Sequence, residues 1–318
     1  MKYKIYVDGQ EGTTGLEIYE RLAKRNDIEV LRIDMDKRKD VNERRRLINA
    51  ADVVFLCLPD DAAREAVSLL QNDSTIVIDA STAHRVADGW DYGLPELSVA
   101  QRAAISCSKR ISNPGCFPTG FNLLVHPLVS VGILSADSSI TCNSVTGYSG
   151  GGKALIERYE NPENKEKLIS PNLYALTLSH KHLPEMQKHS GLKFKPLFTP
   201  AVCGYLRGMT VCVPLFVQSL VKKMTANSIR EYLSQYYAGQ RFVKVMPEGY
   251  EDVAENGFYY RGINPTGCNN TNNLEIFVFG NDEQILLAAR LDNLGKGASG
   301  AAVQNMNIAL GIDEGLGL

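Results

Sequence analysis

The chain has 318 residues, 44% hydrophobic and 22% charged; at about 150 residues per domain this suggests two domains and excludes a largely disordered chain. Its formal net charge of -2, from 34 basic and 36 acidic residues, offers no basic excess for nucleic acid. No apolar run approaches the ~20 residues of a membrane span, the N-terminus lacks the apolar core of a signal peptide, and seven scattered cysteines with no Cys-x-x-Cys give neither a disulfide framework nor a zinc site, so a cytoplasmic, metal-free protein is expected.

Lys4–Val7 reads as a short strand ending in a glycine-rich turn, and Leu16–Arg25 as a helix from its apolar period. Ile28–Ile33 is a second strand. Val53–Leu58 is a continuous apolar run, as in a strand buried on both faces. Pro59 ends it, and Asp60 or Asp61 is placed to cap a helix over 62–70. Thr75–Ile78 is the next strand. Such alternation predicts a parallel α/β sheet with helices on both sides. The basic residues Lys37–Lys39 and Arg44–Arg46 are mixed with acids and read as a solvated face.

Beyond about residue 113 the character changes. Segments 139–145, 208–217, 242–245 and 274–279 read as strands and helical patterns thin out. This predicts an α+β domain with a mostly antiparallel sheet. Residues 295–311 read as a small-residue helix that returns to the first domain. The expected division is 1–114 with 294–318, and 115–293. Apolar strands in the second part would allow a sheet-to-sheet interface, so a homo-oligomer, dimer or tetramer, is expected.

Three segments carry chemistry. After the first strand comes Gly9-Gln-Glu-Gly12-Thr13-Thr14-Gly15 and then a helix. Glycines let the backbone approach a pyrophosphate, and the helix N-terminus offers free N–H groups to it. Asp34, nineteen residues after Gly15, suits the ribose hydroxyls of NAD; Arg32, Lys37 and Arg38 suit the extra phosphate of NADP. Position alone leaves both cofactors open.

Asn113-Pro-Gly-Cys116-Phe-Pro-Thr-Gly120 puts Cys116 at a helix start after a Pro-Gly turn, with Pro118 in the first turn. That field favours a thiolate nucleophile. His180 and His182, two apart in Ser179–Glu185, would project to one side of an extended segment and are the candidate acid/base pair. The third segment, Gly147–Lys153, nearly matches a phosphate loop but has Ala154 where a magnesium-binding hydroxyl is needed. It is no triphosphatase, yet its amides, Ser149 and Lys153 suit a smaller anion.

Asn113–Thr119 resembles the active-site signature of the N-acetyl-γ-glutamyl-phosphate reductase family. Val7–Leu16, Leu58–Asp61, Asp79–Arg85, Tyr92–Glu96, Gly147–Lys153, His180–Glu185 and Asn293–Ala302 resemble its short form, in order, over essentially the whole chain. Lys181 stands where the family often has arginine, keeping the charge but losing a bidentate contact. The resemblance implies a fold and mechanism similar to aspartate-semialdehyde dehydrogenase, with a Rossmann domain interrupted by a catalytic domain. It implies NADP, an acyl-phosphate substrate, release of inorganic phosphate, and a thioester on Cys116 in arginine biosynthesis. It extends the cofactor site to Ser81, Thr82, Asn293 and Gly297, and the substrate site to Asn113, Tyr174 and Glu185. Tyr174, six residues before His180 as in the family, inclines the acid/base role to His180. Glu185 is placed to orient a histidine, and Arg207 to meet an anionic end of the substrate. The same chemistry on an aspartyl or aminoadipyl phosphate is the alternative.

Overall fold

The computed structural model describes residues 2–250 and 262–318. They divide into two compact units. One holds the residues up to Gly115 together with Gly297–Leu318; the other is Cys116–Lys296.

In the first unit, β1 (Tyr3–Asp8), β2 (Ile28–Leu31), β3 (Val53–Leu56), β4 (Ile76–Asp79), β5 (Asp91–Tyr92) and β6 (Arg110–Ser112) form one sheet in the order β2-β1-β3-β4-β6-β5. Every pairing is parallel. The helices are α1 (Thr13–Ala23), α2 (Val41–Ala50), α3 (Asp60–Ser68), α4 (Val99–Cys107) and the C-terminal helix Gly300–Ala309. The continuous apolar run has a clear cause. Val53 and Phe55 join the core with Ile5, Val7, Ile18 and Met306, while Val54 and Leu56 point the other way, with Tyr6, Leu47, Ile48 and Ala66. Each such buried side chain stabilises by roughly 1.5–3 kcal/mol.

Three expectations change here. The basic run is not wholly solvated: Lys37–Lys39 lie in the turn before α2, but Arg44–Arg46 lie on α2 and Arg44 is buried, its guanidinium on Asp8 Oδ2 at 2.9 Å and on Glu65 at 3.2 Å. Arg46 does stay outside, on Glu43. Asp60 does not cap α3. Pro59 holds the cap position, and the Asp60 carboxylate instead accepts from Thr82 N and Oγ1 at 2.9 and 2.6 Å. The last predicted helix is shorter: 295–299 form a π turn and the α-helix starts at Gly300.

The second unit is built on a seven-stranded sheet. Its strands are β7 (Thr141–Gly147), β8 (Asn172–Leu173), β9 (Leu197–Cys203), β10 (Met209–Phe216), β11 (Val243–Val245), β12 (Leu274–Gly280) and β13 (Gln284–Leu291), in the order β11-β12-β13-β10-β7-β9-β8. Four of its six pairings are antiparallel. The helices are α5 (Cys116–Ser130), α6 (Gly152–Glu160), α7 (Lys165–Leu168), α8 (Leu183–Ser190) and α9 (Ala226–Tyr236). On β10, Met209, Val211, Val213 and Leu215 are buried, whereas Pro214 and Phe216 are exposed beside Leu286 and Gln284 of β13. One face is thus core; the other is exposed around Pro214, Phe216 and Leu286 but buried toward Thr210, Ala288 and Arg290.

The long helix α5 lies against the core face. A Cβ at Gly120 would stand 2.9 Å from Val211 Cγ2, so glycine is what lets α5 approach β10. Pro127, inside α5, has no N–H for the Leu123 carbonyl. The Tyr237 hydroxyl donates to that carbonyl at 2.6 Å and replaces the missing bond. No described helix is long and apolar enough to cross a membrane.

Candidate active site

In the first unit, the Gly9–Gly15 turn shows why glycines stand there. Gly9 has φ +90°, and a Cβ on it would sit 2.3 Å from the Cys57 carbonyl. A Cβ on Gly15 would sit 2.4 Å from the Gly9 carbonyl, so this glycine brings α1 onto the turn. Gly12 differs: a Cβ there would meet nothing closer than 3.6 Å, an ordinary contact, so packing alone does not demand glycine at this position. Gly12 is the N-cap of α1 and no side chain caps the helix. The first amides of α1, at Thr13, Thr14 and Gly15, thus suit a phosphate. At its rim, Arg38 pairs with Glu11 of the same turn, and Lys37 lies 3.7 Å from Asp34.

The other residues expected around the cofactor are held by neighbours. Ser81 bonds the buried Asp79 through N and Oγ, at 2.9 and 2.7 Å, and Thr82 bonds Asp60. Asp79 also meets His84 Nδ1 at 2.6 Å, and the His84 ring stacks on Trp90 at 4.1 Å. Sequence reading passed over this Asp79–His84–Trp90 cluster; the only signal was Asp79 and His84 flanking the Ser-Thr pair. Gly297 is buried.

Asn113 is bonded on every polar atom. Its N–H donates to Asp79 O at 2.7 Å, and its carbonyl accepts from Arg85 Nε at 2.9 Å. Nδ2 donates to Ala298 O at 3.0 Å, and Oδ1 accepts from Asn305 Nδ2 at 3.2 Å. The geometry makes Asn113 a clamp on the turn before Cys116, not an open substrate contact.

In the second unit, Cys116 is the first residue of α5 and half-buried. The positive end of the helix dipole favours an anion there. Tyr174 lies close enough to feel that charge: burial, then Cys116, pushes its phenol above the ordinary range. His180 completes the group. Its ring stands 5.8 Å from Tyr174, 6.1 Å from Phe117, 5.2 Å from Phe198 and 4.6 Å from His182.

The two histidines do come together, though not along an extended segment as the spacing suggested. His182 is the N-cap of α8 with helical angles, and the chain turns between them. The His182 N–H donates to His180 Nδ1 at 3.1 Å. That bond takes the Nδ1 lone pair, so a neutral His180 carries its proton on Nε2. Burial, then the Lys181 charge, lowers the His180 pKa from 6.5 to about 4. His180 is therefore neutral near pH 7, with its Nε2–H available to donate. His182 and Glu185 are both buried, at the start of α8.

Arg207 is aimed by two partners. Its Nη1 donates to Asn270 Oδ1 at 2.8 Å and lies 3.4 Å from Oδ2 of the fully buried Asp292. Asn270 adopts φ +63°. Among the described residues the other non-glycine residues in that region of φ are Ala175 and Leu178, in the segment between Tyr174 and His180. Left-handed non-glycine backbone concentrates at functional sites.

Ser149 and Asn293 are turned toward each other. Asn293 Nδ2 donates to Ser149 Oγ at 2.9 Å, and its Oδ1 accepts from Gly208 N at 2.8 Å. Both are nearly inaccessible, which removes the basis for Asn293 as a cofactor contact and Ser149 as an anion ligand. The N–H groups of Gly147, Tyr148 and Ser149 donate to the carbonyls of Gly208, Tyr205 and Leu206. Lys153 extends outward, 78% exposed and 4.0 Å from Glu157. The anion loop read from the sequence has spent these amides on the neighbouring turn.

Two family models match. The semialdehyde dehydrogenase NAD binding domain covers residues 34–105, and the semialdehyde dehydrogenase dimerisation domain covers 116–293. N-acetyl-gamma-glutamyl-phosphate reductase 2 of Nostoc sp. is 49% identical over 100% of this chain and 99% of its own length. The N-acetyl-gamma-glutamyl-phosphate reductase of Chelativorans sp. is 47% identical over 98% of this chain and 99% of its own. Among solved structures, aspartate semialdehyde dehydrogenase II from Vibrio cholerae superposes with a TM-score of 0.70 at 14% identity, covering 98% of this chain and 99% of that one. The enzyme from Francisella tularensis gives 0.67 at 17% identity, over 96% and 99%. The solved structures share the fold, and the relatives share the sequence from end to end: this chain belongs to the N-acetyl-γ-glutamyl-phosphate reductase family.

Proposed function

We propose that this chain reduces N-acetyl-L-glutamyl 5-phosphate to N-acetyl-L-glutamate 5-semialdehyde and releases phosphate, as a step of arginine biosynthesis, through a thioester on Cys116. One observation carries the mechanism: Cys116 opens α5 within reach of Tyr174, whose ring neighbours a tautomer-fixed His180.

The Cys116 thiolate attacks the acyl carbonyl carbon, the bond to the phosphate oxygen breaks, and a thioester remains. The amides at the start of α5 and the His180 Nε2–H are the donors for the oxygen that gains charge. The cofactor is a nicotinamide dinucleotide, and when bound it supplies the hydride that the thioester carbon accepts. The oxyanion then left on the Cys116 adduct collapses to the aldehyde and frees the thiolate. The one proton that the balance requires goes to the departing phosphate, and His182 is the residue assigned to carry it. Glu185, in the same turn, holds the histidine pair in place. Tyr174 forms a wall of the substrate site. Arg207, aimed by Asp292 and Asn270, takes the substrate carboxylate as a charge-assisted pair.

The turn Gly9–Gly15 fits a dinucleotide, because α1 starts without a side-chain cap and a Cβ at Gly12 would crowd nothing in the protein itself. The pyrophosphate is assigned to the amides of Thr13, Thr14 and Gly15, the Gly12 N–H being bonded to the Gly9 carbonyl, and the extra phosphate of NADP to Arg38 and Lys37. The chain oligomerises. A homodimer, or a tetramer built from it, would bury the open face around Pro214, Phe216 and Leu286. Seven free cysteines suit the reducing cytoplasm.

The test runs the reaction in reverse, with N-acetyl-glutamate semialdehyde, phosphate and NADP, following NADPH absorbance. Phosphate-dependent NADPH formation with this aldehyde, and little with aspartate semialdehyde or NAD, is the expected result. No turnover from folded protein that binds NADP would overturn the proposal.

A further inference from the structure

Four exposed charged side chains gather where the end of β2 meets the glycine turn. Arg38, half-exposed, pairs with Glu11 in the middle of the turn, and Lys37 lies near Asp34, 3.7 Å away. Two further cations of the neighbourhood, Arg44 and Arg32, are engaged elsewhere. Arg44 is buried on Asp8 and Glu65, and Arg32 lies over the Tyr19 ring at 5.5 Å. In a dinucleotide fold this corner meets the 2′ position of the adenosine ribose. A phosphate arriving there finds its arginine already paired, with a carboxylate belonging to the loop that cradles the rest of the cofactor.

We propose that Glu11 is a built-in competitor for the ribose 2′-phosphate, and that the exchange of Arg38 from Glu11 to that phosphate sets how strongly this chain prefers NADP over NAD. The inference rests on the NADP reading above and deepens it. With a 2′-hydroxyl the Glu11–Arg38 pair stays closed, and the corner remains neutral. With a 2′-phosphate the guanidinium turns to a doubly charged, bidentate acceptor, and Glu11 is left facing solvent beside it. Both side chains are about half exposed, so the swap disturbs no core packing. The pair is also open to salt, which loosens it.

The probes are 2′,5′-ADP and 5′-AMP, which differ by the 2′-phosphate and carry no nicotinamide, so calorimetric binding is read without catalysis. Glu11→Gln is expected to tighten 2′,5′-ADP by about two- to fivefold, the worth of an exposed ion pair, and to leave 5′-AMP unchanged. Arg38→Gln is expected to weaken 2′,5′-ADP about tenfold, toward 5′-AMP. In the Arg38→Gln background, Glu11→Gln should then have no further effect. An unchanged or weakened 2′,5′-ADP affinity in Glu11→Gln overturns the proposal, as does full retention of that affinity in Arg38→Gln. Should the unaltered chain bind both probes equally, the NADP reading fails, and Glu11→Gln still decides: a preference that appears on its removal supports the competitor role, and none refutes it.

Discussion

Two glycine-rich loops in this chain each follow a strand and precede a helix, and by residue type both suit an anion. In the first, Gly9 and Gly15 serve close packing and the Gly12 N–H closes on the Gly9 carbonyl, but the amides of α1 that follow start an uncapped helix. In the second, the amides of Gly147, Tyr148 and Ser149 are bonded to residues 205–208, and that of Gly152 closes on Ser149. A Cβ at Gly147 would fall 2.5 Å from the Leu206 carbonyl. The first loop is an opening and the second a clasp. Spacing does not separate them; what separates them is where each backbone donor goes.

Substitutions sharpen this contrast, and the largest effect is expected beyond both loops, at Cys116, the nucleophile proposed above. Cys116→Ser should cut turnover by about 10⁴-fold or more, with the circular dichroism spectrum unchanged, because a serine hydroxyl is not ionised at a helix start. His180→Ala should lower kcat by about 10²–10³-fold, as when an oxyanion donor is lost. The pH behaviour follows from the same ring. The unfolded histidine, near 6.5, takes a proton before the folded one, near 4. The neutral form of His180 therefore contributes stability in full above pH 6.5, and the contribution is lost as pH falls toward 4. Thermal unfolding of the native chain and of His180→Gln, measured from pH 7 to 5, should show the steeper decline in the native chain.

The loops themselves should respond in opposite ways. Gly12→Val puts a branched side chain over the start of α1 without a clash in the protein itself, so dinucleotide affinity should fall about tenfold or more in a fluorescence titration, with little change in Tm. Gly147→Ala forces a methyl into the Leu206 backbone and should destabilise by about 1–3 kcal/mol in urea unfolding, with dinucleotide affinity kept. Asn293→Ala removes two buried bonds of the clasp and should cost a further 1–3 kcal/mol or so, again without weakening the dinucleotide. An equal loss of cofactor affinity in Gly12→Val and Asn293→Ala would break the distinction between the loops.

The parallel sheet was legible because runs such as Val53–Leu56 are buried on both faces, a pattern few other structures produce. Cys116 was legible because a Pro-Gly turn and a helix start are both local signals. Arg44 and Asn113 were not, since their roles depend on partners distant in sequence: Asp8 for one, and Asp79, Arg85, Ala298 and Asn305 for the other. The same limit hid the commitment of Ser149 to Asn293, 144 residues away. The His180–His182 spacing pointed to two rings that do meet, but by a different geometry. A turn, not a strand, brings the rings together, and only the turn reveals that Nδ1 is occupied.

The most direct test of the covalent mechanism is to mix the protein with N-acetyl-glutamyl phosphate in the absence of reduced cofactor and to weigh it. An added N-acetylglutamyl group on the peptide that contains Cys116, discharged by NADPH and absent in Cys116→Ser, is the predicted result. Turnover with no adduct at Cys116, or undiminished in the serine variant, would contradict it.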